Sequence, residues 1–235
     1  MSGSPARRGR RARPPARRRP SYAARCAAER ARFRQARVLA GVDEAGRGAL
    51  AGPVVAAAVV LDPDRPVEGI QDSKRMTPAQ RAAVFPRLLA AARDLAIGVC
   101  DAGVIDRTNV LRATRRAMRE AIGGLRIPLD AVLVDAVPLP DLPVPHQSPI
   151  HGEDVSISIA AASIVAKVMR DRIMEVYHEL YPAYQFARHK GYGTAGHRAR
   201  IAAHGLRPPH RRSFAGLADL EPAAPARQLP LFGAA

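Results

Sequence analysis

Tryptophan is absent and aromatic residues make up 4% of this 235-residue chain, which excludes a core built on large rings. Packing is left to Ala, Val, Ile and Leu, in line with 47% hydrophobic content and an α/β domain. Cysteine occurs twice, at Cys26 and Cys100, too few for a disulfide framework or a four-ligand zinc site, and this points to a reducing compartment. The longest apolar run, Ala49 to Leu61, is broken by Gly52 and Pro53 and falls short of the ~20 residues a membrane span needs. With no signal-peptide pattern, the expectation is a soluble, cytoplasmic protein with no membrane partner. Nothing marks an oligomer, so a monomer is the default. Acids are also scarce, at 21 against 37 Lys and Arg, for a formal charge of +16.

That charge is uneven. Residues 1–37 hold thirteen arginines and one acid, Glu29, so three quarters of the net charge sits there. The stretch "ARRGRRARPPARRRP" has no apolar period, and residues 1–37 read as a disordered cationic arm suited to polyanions through phosphate contacts. A second reading stays open, because 34 of the 37 basic residues are Arg, as an Arg-biased coding sequence would give. Residues 38–216 read as the folded domain, and 217–235, rich in Pro and Ala, as a flexible tail.

Apolar runs at Val38–Asp43, Val54–Leu61, Leu95–Asp101 and Ala131–Asp135 predict strands, several buried on both faces. Thr77-Pro78 opens a helix through Ala79 to Ala92. Asp106 or Thr108 is expected to cap a second helix over Asn109–Ile122, stopped at Gly123-Gly124. A third runs from Ser158 to Leu180, and a fourth from Thr194 to His204. Residues 136–149 contain five prolines and predict an irregular connection. Strands followed by strand–helix alternation imply a mixed sheet covered by helices, with a small helical part at the C-terminal end.

Four acids fall where charge is normally avoided. Asp43 and Glu44 end the first strand, Asp135 ends "AVLVD", and Asp171 shares a helix face with Ser163 and Lys167 at four-residue spacing. A lone strand-end acid is usually a turn carboxylate. Four brought to one end of a sheet repel one another unless a cation neutralises them, and oxygen ligands suit Mg²⁺ or Mn²⁺. Two such ions can clamp the attacking and leaving oxygens of a phosphodiester.

The segments "GVDEAGRGALAGPVVAAAVVL", "DSKRMT", "DRTNVLRATRRAM", "VLVDA", "SISIAAASIVAKVMRDRIM" and "YPAYQFARHKGYGTAGHRARIAAHGLRPPHRRSF" together resemble bacterial ribonuclease HII over residues 38–216. The resemblance implies a ribonuclease H-like fold with a central mixed β-sheet flanked by helices. It also implies hydrolysis with two divalent ions, Mn²⁺ or Mg²⁺, and action on RNA–DNA hybrids and on DNA duplexes with embedded ribonucleotides, cut on the 5′ side. By position it makes Asp43, Glu44, Asp135 and Asp171 the catalytic, metal-binding acids. Gly46, Arg47 and Gly48 match a loop whose backbone senses the ribose 2′-hydroxyl. Tyr192 matches a tyrosine that stacks at the RNA–DNA junction, and Ser73, Lys74, Asn109, Ser163, Lys167, Arg188 and Lys190 match supporting substrate contacts. All three lysines of the chain, 74, 167 and 190, fall within these motifs.

The chain departs from that pattern in places. Ala136-Val137 follows Asp135 where the family often has Gly-Asn, His151-Gly152-Glu153 replaces Lys-Gly-Asp, and Ala49 replaces a proline. At the C-terminus, Gln228, Leu229, Leu231 and Phe232 in "RQLPLF" resemble the short peptide by which bacterial proteins dock on the replication sliding clamp. Two other function classes compete with the enzyme: a hybrid-binding protein without turnover, and a nuclease of the same fold acting on DNA alone. Intact acids oppose the first, since a binder gains nothing from negative charge facing phosphate, and the Gly-Arg-Gly loop disfavours the second.

Overall fold

The computed structural model describes residues 21–33 and 36–217. Residues 1–20 of the expected arm, and the tail bearing Gln228, Leu229, Leu231 and Phe232, lie outside the described residues. One sheet is formed by β1 (Leu39–Ala45), β2 (Val54–Val60), β3 (Asp94–Cys100), β4 (Ala131–Val134) and β5 (His146–Gln147), in the order β3-β2-β1-β4-β5. The pairs β1–β2 and β2–β3 are antiparallel, while β1–β4 and β4–β5 are parallel. The described helices are α1 (Tyr22–Arg30), α2 (Pro78–Ala91), α3 (Ala102–Arg107), α4 (Val110–Gly123), α5 (Gly152–Val155), α6 (Ile157–Leu180), α7 (Phe186–His189) and α8 (Ala195–His204).

All seven residues of β2 are buried, as a near-continuous Val/Ala run requires of a strand covered on both faces. One core lies between the sheet, α2 and α6, and includes Val59, Phe85, Leu88 and Ile164. Another lies against α4 and includes Val42, Val54, Met118 and Val132. Two glycines set the spacing of these layers. A Cβ on Gly41 would meet the Ser158 carbonyl carbon at 2.1 Å, and one on Gly98 the Ala117 oxygen at 2.0 Å, so α6 packs backbone-close on β1 and α4 on β3. A third, smaller core around Met174, Tyr184, Phe186 and Ile201 joins the C-terminal helical part to the sheet domain.

Several boundaries differ from the sequence expectation. Residues 21–33, expected within a disordered arm, include α1, which is capped by Ser21 and buries Cys26 and Glu29. The arginines mask this in the sequence, where Tyr22 and Cys26 are the only apolar side chains other than alanine on one face of a short helix. The cap of α4 is Asn109, whose side chain accepts from Arg112 N at 2.9 Å. Asp106 lies inside α3, capped by Asp101, and accepts instead from the backbone of Arg212 and Ser213. The Pro-rich connection holds the two-residue strand β5 beside β4, kept short by residues that lack an N–H to donate. Thr77 and Gln80 form the reciprocal cap that opens α2.

Candidate active site

Register brings the first acids together. Val42 pairs with Val134 across the parallel β1–β4 ladder, and Asp135 N donates to Val42 O at 2.9 Å. Asp43 and Asp135 therefore leave adjacent strands side by side. The third member of the group is Glu153 on α5. Gly152 N donates to Asp135 Oδ1 at 2.7 Å, and a Cβ on Gly152 would lie 2.9 Å from that same oxygen. This contact seats the one-turn helix α5 against the end of β4. Asp43, Asp135 and Glu153 each offer a carboxylate oxygen within 4.8 Å of the others.

Three like charges at this separation, with Asp43 only 3% and Glu153 6% exposed, distort the ordinary ionisation of the group. Burial, then the charges of Glu44 and Asp135, raise the Asp43 carboxyl well above its usual range. Burial also raises Glu44, against the opposing pull of Arg47, and burial together with Glu153 raises Asp135. Glu153 goes the other way. Burial would raise it, but Lys74, whose Nζ lies 2.7 Å from Glu153 Oε1, outweighs that and lowers it.

Glu44 adjoins the group, and its Oε2 is buried without a hydrogen-bond partner among the described residues. An orphaned carboxylate oxygen beside three crowded acids is a donor set short of a cation. It fits a hard divalent ion with oxygen ligands.

Asp43, Glu44 and Asp135 line a cleft of about 350 Å³ together with Gly46, Arg47, Gly48, Ser73, Lys74, Ser163, Lys167 and Tyr192. Ser73 Oγ and Ser163 Oγ are 2.7 Å apart, and Arg81 steadies the Ser73 turn by donating to the carbonyls of Ser73 and Met76. An adjoining groove shares Arg81 and Lys167 with the cleft and continues along Arg188 and Lys190. Asn109 lines neither; its Oδ1 caps α4.

Asp171 is not in the acid cluster, contrary to the sequence expectation. The helix face is the expected one, but eight residues from Ser163 to Asp171 carry it ~12 Å along α6. There Lys167 Nζ lies 2.7 Å from one oxygen and Arg81 4.0 Å from the other, so existing cations compensate its charge. Glu153 stands in the cluster with Asp43 and Asp135 instead. Its signal was present in the sequence, since it stands where the related pattern has the Asp of Lys-Gly-Asp and keeps the acid.

Behind the cleft are two groups that sequence reasoning missed. Arg170 and Arg211 are fully buried, and no carboxylate pairs with either among the described residues. Burial, then the charge of Arg170, pulls Arg211 down to about 9, which leaves it cationic at neutral pH. His197 and His210 meet through their Nε2 atoms at 3.3 Å, and His189 stacks on His197 at 4.2 Å. His197 Nδ1 faces the Tyr192 carbonyl at 3.0 Å, His210 Nδ1 lies 3.0 Å from Arg207 N and 3.2 Å from Arg207 O, and burial lowers both rings to about 4, so both are neutral at neutral pH.

A sheet of this order, with acids at the ends of its central parallel strands and helices on both faces, is the ribonuclease H-like fold, carrying a carboxylate site suited to divalent ions. Comparison with known proteins makes the assignment specific. The profile of the family described as Ribonuclease HII matches residues 40–217. Ribonuclease HII of Geobacter sulfurreducens is 53% identical over 190 residues, covering 81% of this chain and 88% of that protein. The Paracidovorax citrulli ribonuclease HII is 52% identical over 181 residues, covering 77% and 75%. Among solved structures, ribonuclease H2 of Pyrococcus horikoshii OT3 matches with a TM-score of 0.66 at 25% identity, over 78% of this chain and 97% of that one. The chain belongs to the ribonuclease HII family and is a ribonuclease H of type 2.

Proposed function

We propose that the chain cuts the RNA strand of RNA–DNA hybrids and also nicks duplex DNA on the 5′ side of an embedded ribonucleotide, leaving 5′-phosphate and 3′-hydroxyl ends. Two divalent ions, Mn²⁺ or Mg²⁺, would be held by Asp43, Glu44, Asp135 and Glu153. The observation that carries this reading is the cluster of Asp43, Asp135 and Glu153 with the orphaned Glu44 oxygen, of which Asp43, Glu44 and Asp135 line one cleft with the Gly46–Gly48 loop. Bound there, a pair of such ions neutralises the charge that builds on a phosphodiester during in-line displacement.

The remaining work belongs to the chain itself. Gly48 has no heavy atom within 4 Å of where a Cβ would sit, so a sugar can approach its backbone closely, and the 2′-hydroxyl is what distinguishes RNA from DNA. Tyr192, 37% exposed at the cleft, offers a ring face to the junction nucleotide. Lys167, Arg188 and Lys190 line the adjoining groove, where phosphates of a bound strand would be neutralised. Lys74 holds Glu153 in place.

The test is cleavage of an end-labelled DNA duplex carrying one ribonucleotide, with Mg²⁺ or Mn²⁺, beside an all-DNA duplex. A single nick 5′ to the ribonucleotide is expected. Tight binding without a nick in either metal would instead favour the binding-protein reading. For the tail, the sequence alone supports docking of Gln228, Leu229, Leu231 and Phe232 on a sliding clamp. A peptide of residues 224–235 that fails to bind the clamp, where a known clamp peptide binds, ends that idea.

A further inference from the structure

The two buried arginines meet one stretch of backbone. Arg170 donates from Nε to Pro53 O at 3.0 Å, from Nη2 to Ala51 O at 3.0 Å and from Nη1 to Lys190 O at 2.9 Å. Arg211 donates from Nη2 to Gly46 O at 2.7 Å and from Nη1 to Arg47 O at 2.8 Å, and Nε and Nη2 both reach Gly52 O. A guanidinium has five donors and no acceptor, and here all three nitrogens of each side chain donate to carbonyls of the 46–53 loop or of the segment leading to Tyr192.

The direction of those carbonyls has a consequence for the cleft. In a trans peptide unit the C=O and the following N–H point oppositely, and the described residues contain no cis bond. With the carbonyls of Gly46 and Arg47 drawn toward Arg211, the N–H groups of Arg47 and Gly48 are turned away from it. Neither N–H makes a backbone hydrogen bond among the described residues. The loop also lies directly on Arg170. Gly46 has φ of 97°, and a Cβ there would meet Arg170 Nε at 2.0 Å, so only glycine lets the guanidinium pass beneath it. Arg170 further sits 5.2 Å from the Tyr192 ring centroid, linking both segments that face the substrate.

We infer that Arg170 and Arg211 are positioning residues that hold the backbone of the 46–53 loop and of Lys190 in one arrangement, leaving the Arg47 and Gly48 amides free for the ribonucleotide at the cut site. They touch no substrate. They act by fixing which backbone donors do. A lysine in either position keeps the charge but has three donors on a single nitrogen in place of the planar five-donor fork, and cannot span the same spread of carbonyls, so it loosens the loop without removing the cation. The inference rests on the proposed recognition of a ribonucleotide by this loop.

Arg170→Lys and Arg211→Lys test it in the full-length protein, against the wild type, with three readings: thermal melting, kcat and KM on a duplex carrying one ribonucleotide, and affinity for the all-DNA duplex. Misplacing a contact group by ~1 Å costs about 10²-fold, so each variant should lose kcat/KM by roughly that factor while binding all-DNA duplex as tightly as the wild type. Unchanged kcat/KM in a folded variant overturns the inference. So does an equal loss of all-DNA affinity, which would mean that the pair supplies charge only. If one variant fails to fold, the other decides by the same criteria, and if neither folds the pair is purely structural and the inference is wrong. A wild-type protein that leaves the ribonucleotide duplex uncut would sink the proposed function instead, so the two failures are distinguishable.

Discussion

Glu29 is the acid on which the N-terminal helix turns. It is 3% exposed on α1 and accepts from Ser156 Oγ at 2.5 Å, Ser158 N at 2.7 Å and Ser158 Oγ at 2.8 Å. Ser156 caps α6 and lies three residues beyond Glu153, so Glu29 ties α1 to the junction of α5 and α6. In Glu29→Ala the two hydroxyls can turn to other acceptors, but the Ser158 amide and the vacated volume cannot be repaired. A buried unsatisfied donor costs ~1–3 kcal/mol and a lost side chain in a packed site about as much again. Relief from burying a carboxylate offsets part of this, so the net loss should be about 2–4 kcal/mol. For a domain of this size that lowers Tm by roughly 5–15 °C, read by far-UV circular dichroism.

The pH dependence has a definite sign. Burial raises the Glu29 carboxyl, with the hydrogen bonds from Ser156 and Ser158 opposing. A raised native value means that the associated stability is complete below the unfolded value of the carboxyl and is lost as pH rises through the native one. The advantage of wild type over Glu29→Gln should therefore shrink from mildly acidic toward alkaline pH. A Glu29→Ala protein that melts within ~2 °C of wild type would refute the argument that α1 is an integral part of the fold.

Two further outcomes follow from the buried charges. Asp43→Asn should melt higher than wild type at neutral pH in a chelator, because the raised Asp43 carboxyl loses native stability as pH rises through its native value. That gain should disappear as acidification neutralises Asp43, and a lower Tm for the variant at neutral pH contradicts the reasoning. His197 and His210, both pulled down to about 4 chiefly by burial, with His189 and Arg212 adding positive charge nearby, should titrate near that value by NMR. The stability they contribute is present above the ordinary histidine value and is lost as pH falls toward 4; titration near pH 6.5 would show that the rings are open to water.

Strand-forming runs in β1 to β4 were legible because a helix-covered sheet demands unbroken apolar segments, and Asp43 and Asp135 because acids at such ends stand out. Pattern along the chain failed where three-dimensional distance decided the outcome. Asp171 had the right helix face but the wrong turn, while Glu153 sat on a single helical turn with no periodicity to reveal it. The burial of Arg170 and Arg211 was hidden for another reason. Their partners are carbonyls, which every residue carries, so no residue type in the sequence marks the contact. α1 was masked by its arginines, although Arg25 is half-buried and donates to Ile70 O at 2.9 Å, and the Ser21 cap and the spacing of Tyr22 and Cys26 were there to be read.

The central claim is that Glu153, and not Asp171, completes the acid site with Asp43, Glu44 and Asp135. Glu153→Gln and Asp171→Asn, compared with wild type on the single-ribonucleotide duplex over a range of Mg²⁺ and Mn²⁺ concentrations, test it most directly. Changes at residues that merely support a metal site cost 10–100-fold, so Glu153→Gln should lose more than ~10²-fold in kcat and Asp171→Asn less than ~10-fold. The reverse order, with Asp171→Asn inactive and Glu153→Gln near wild type, would contradict the account.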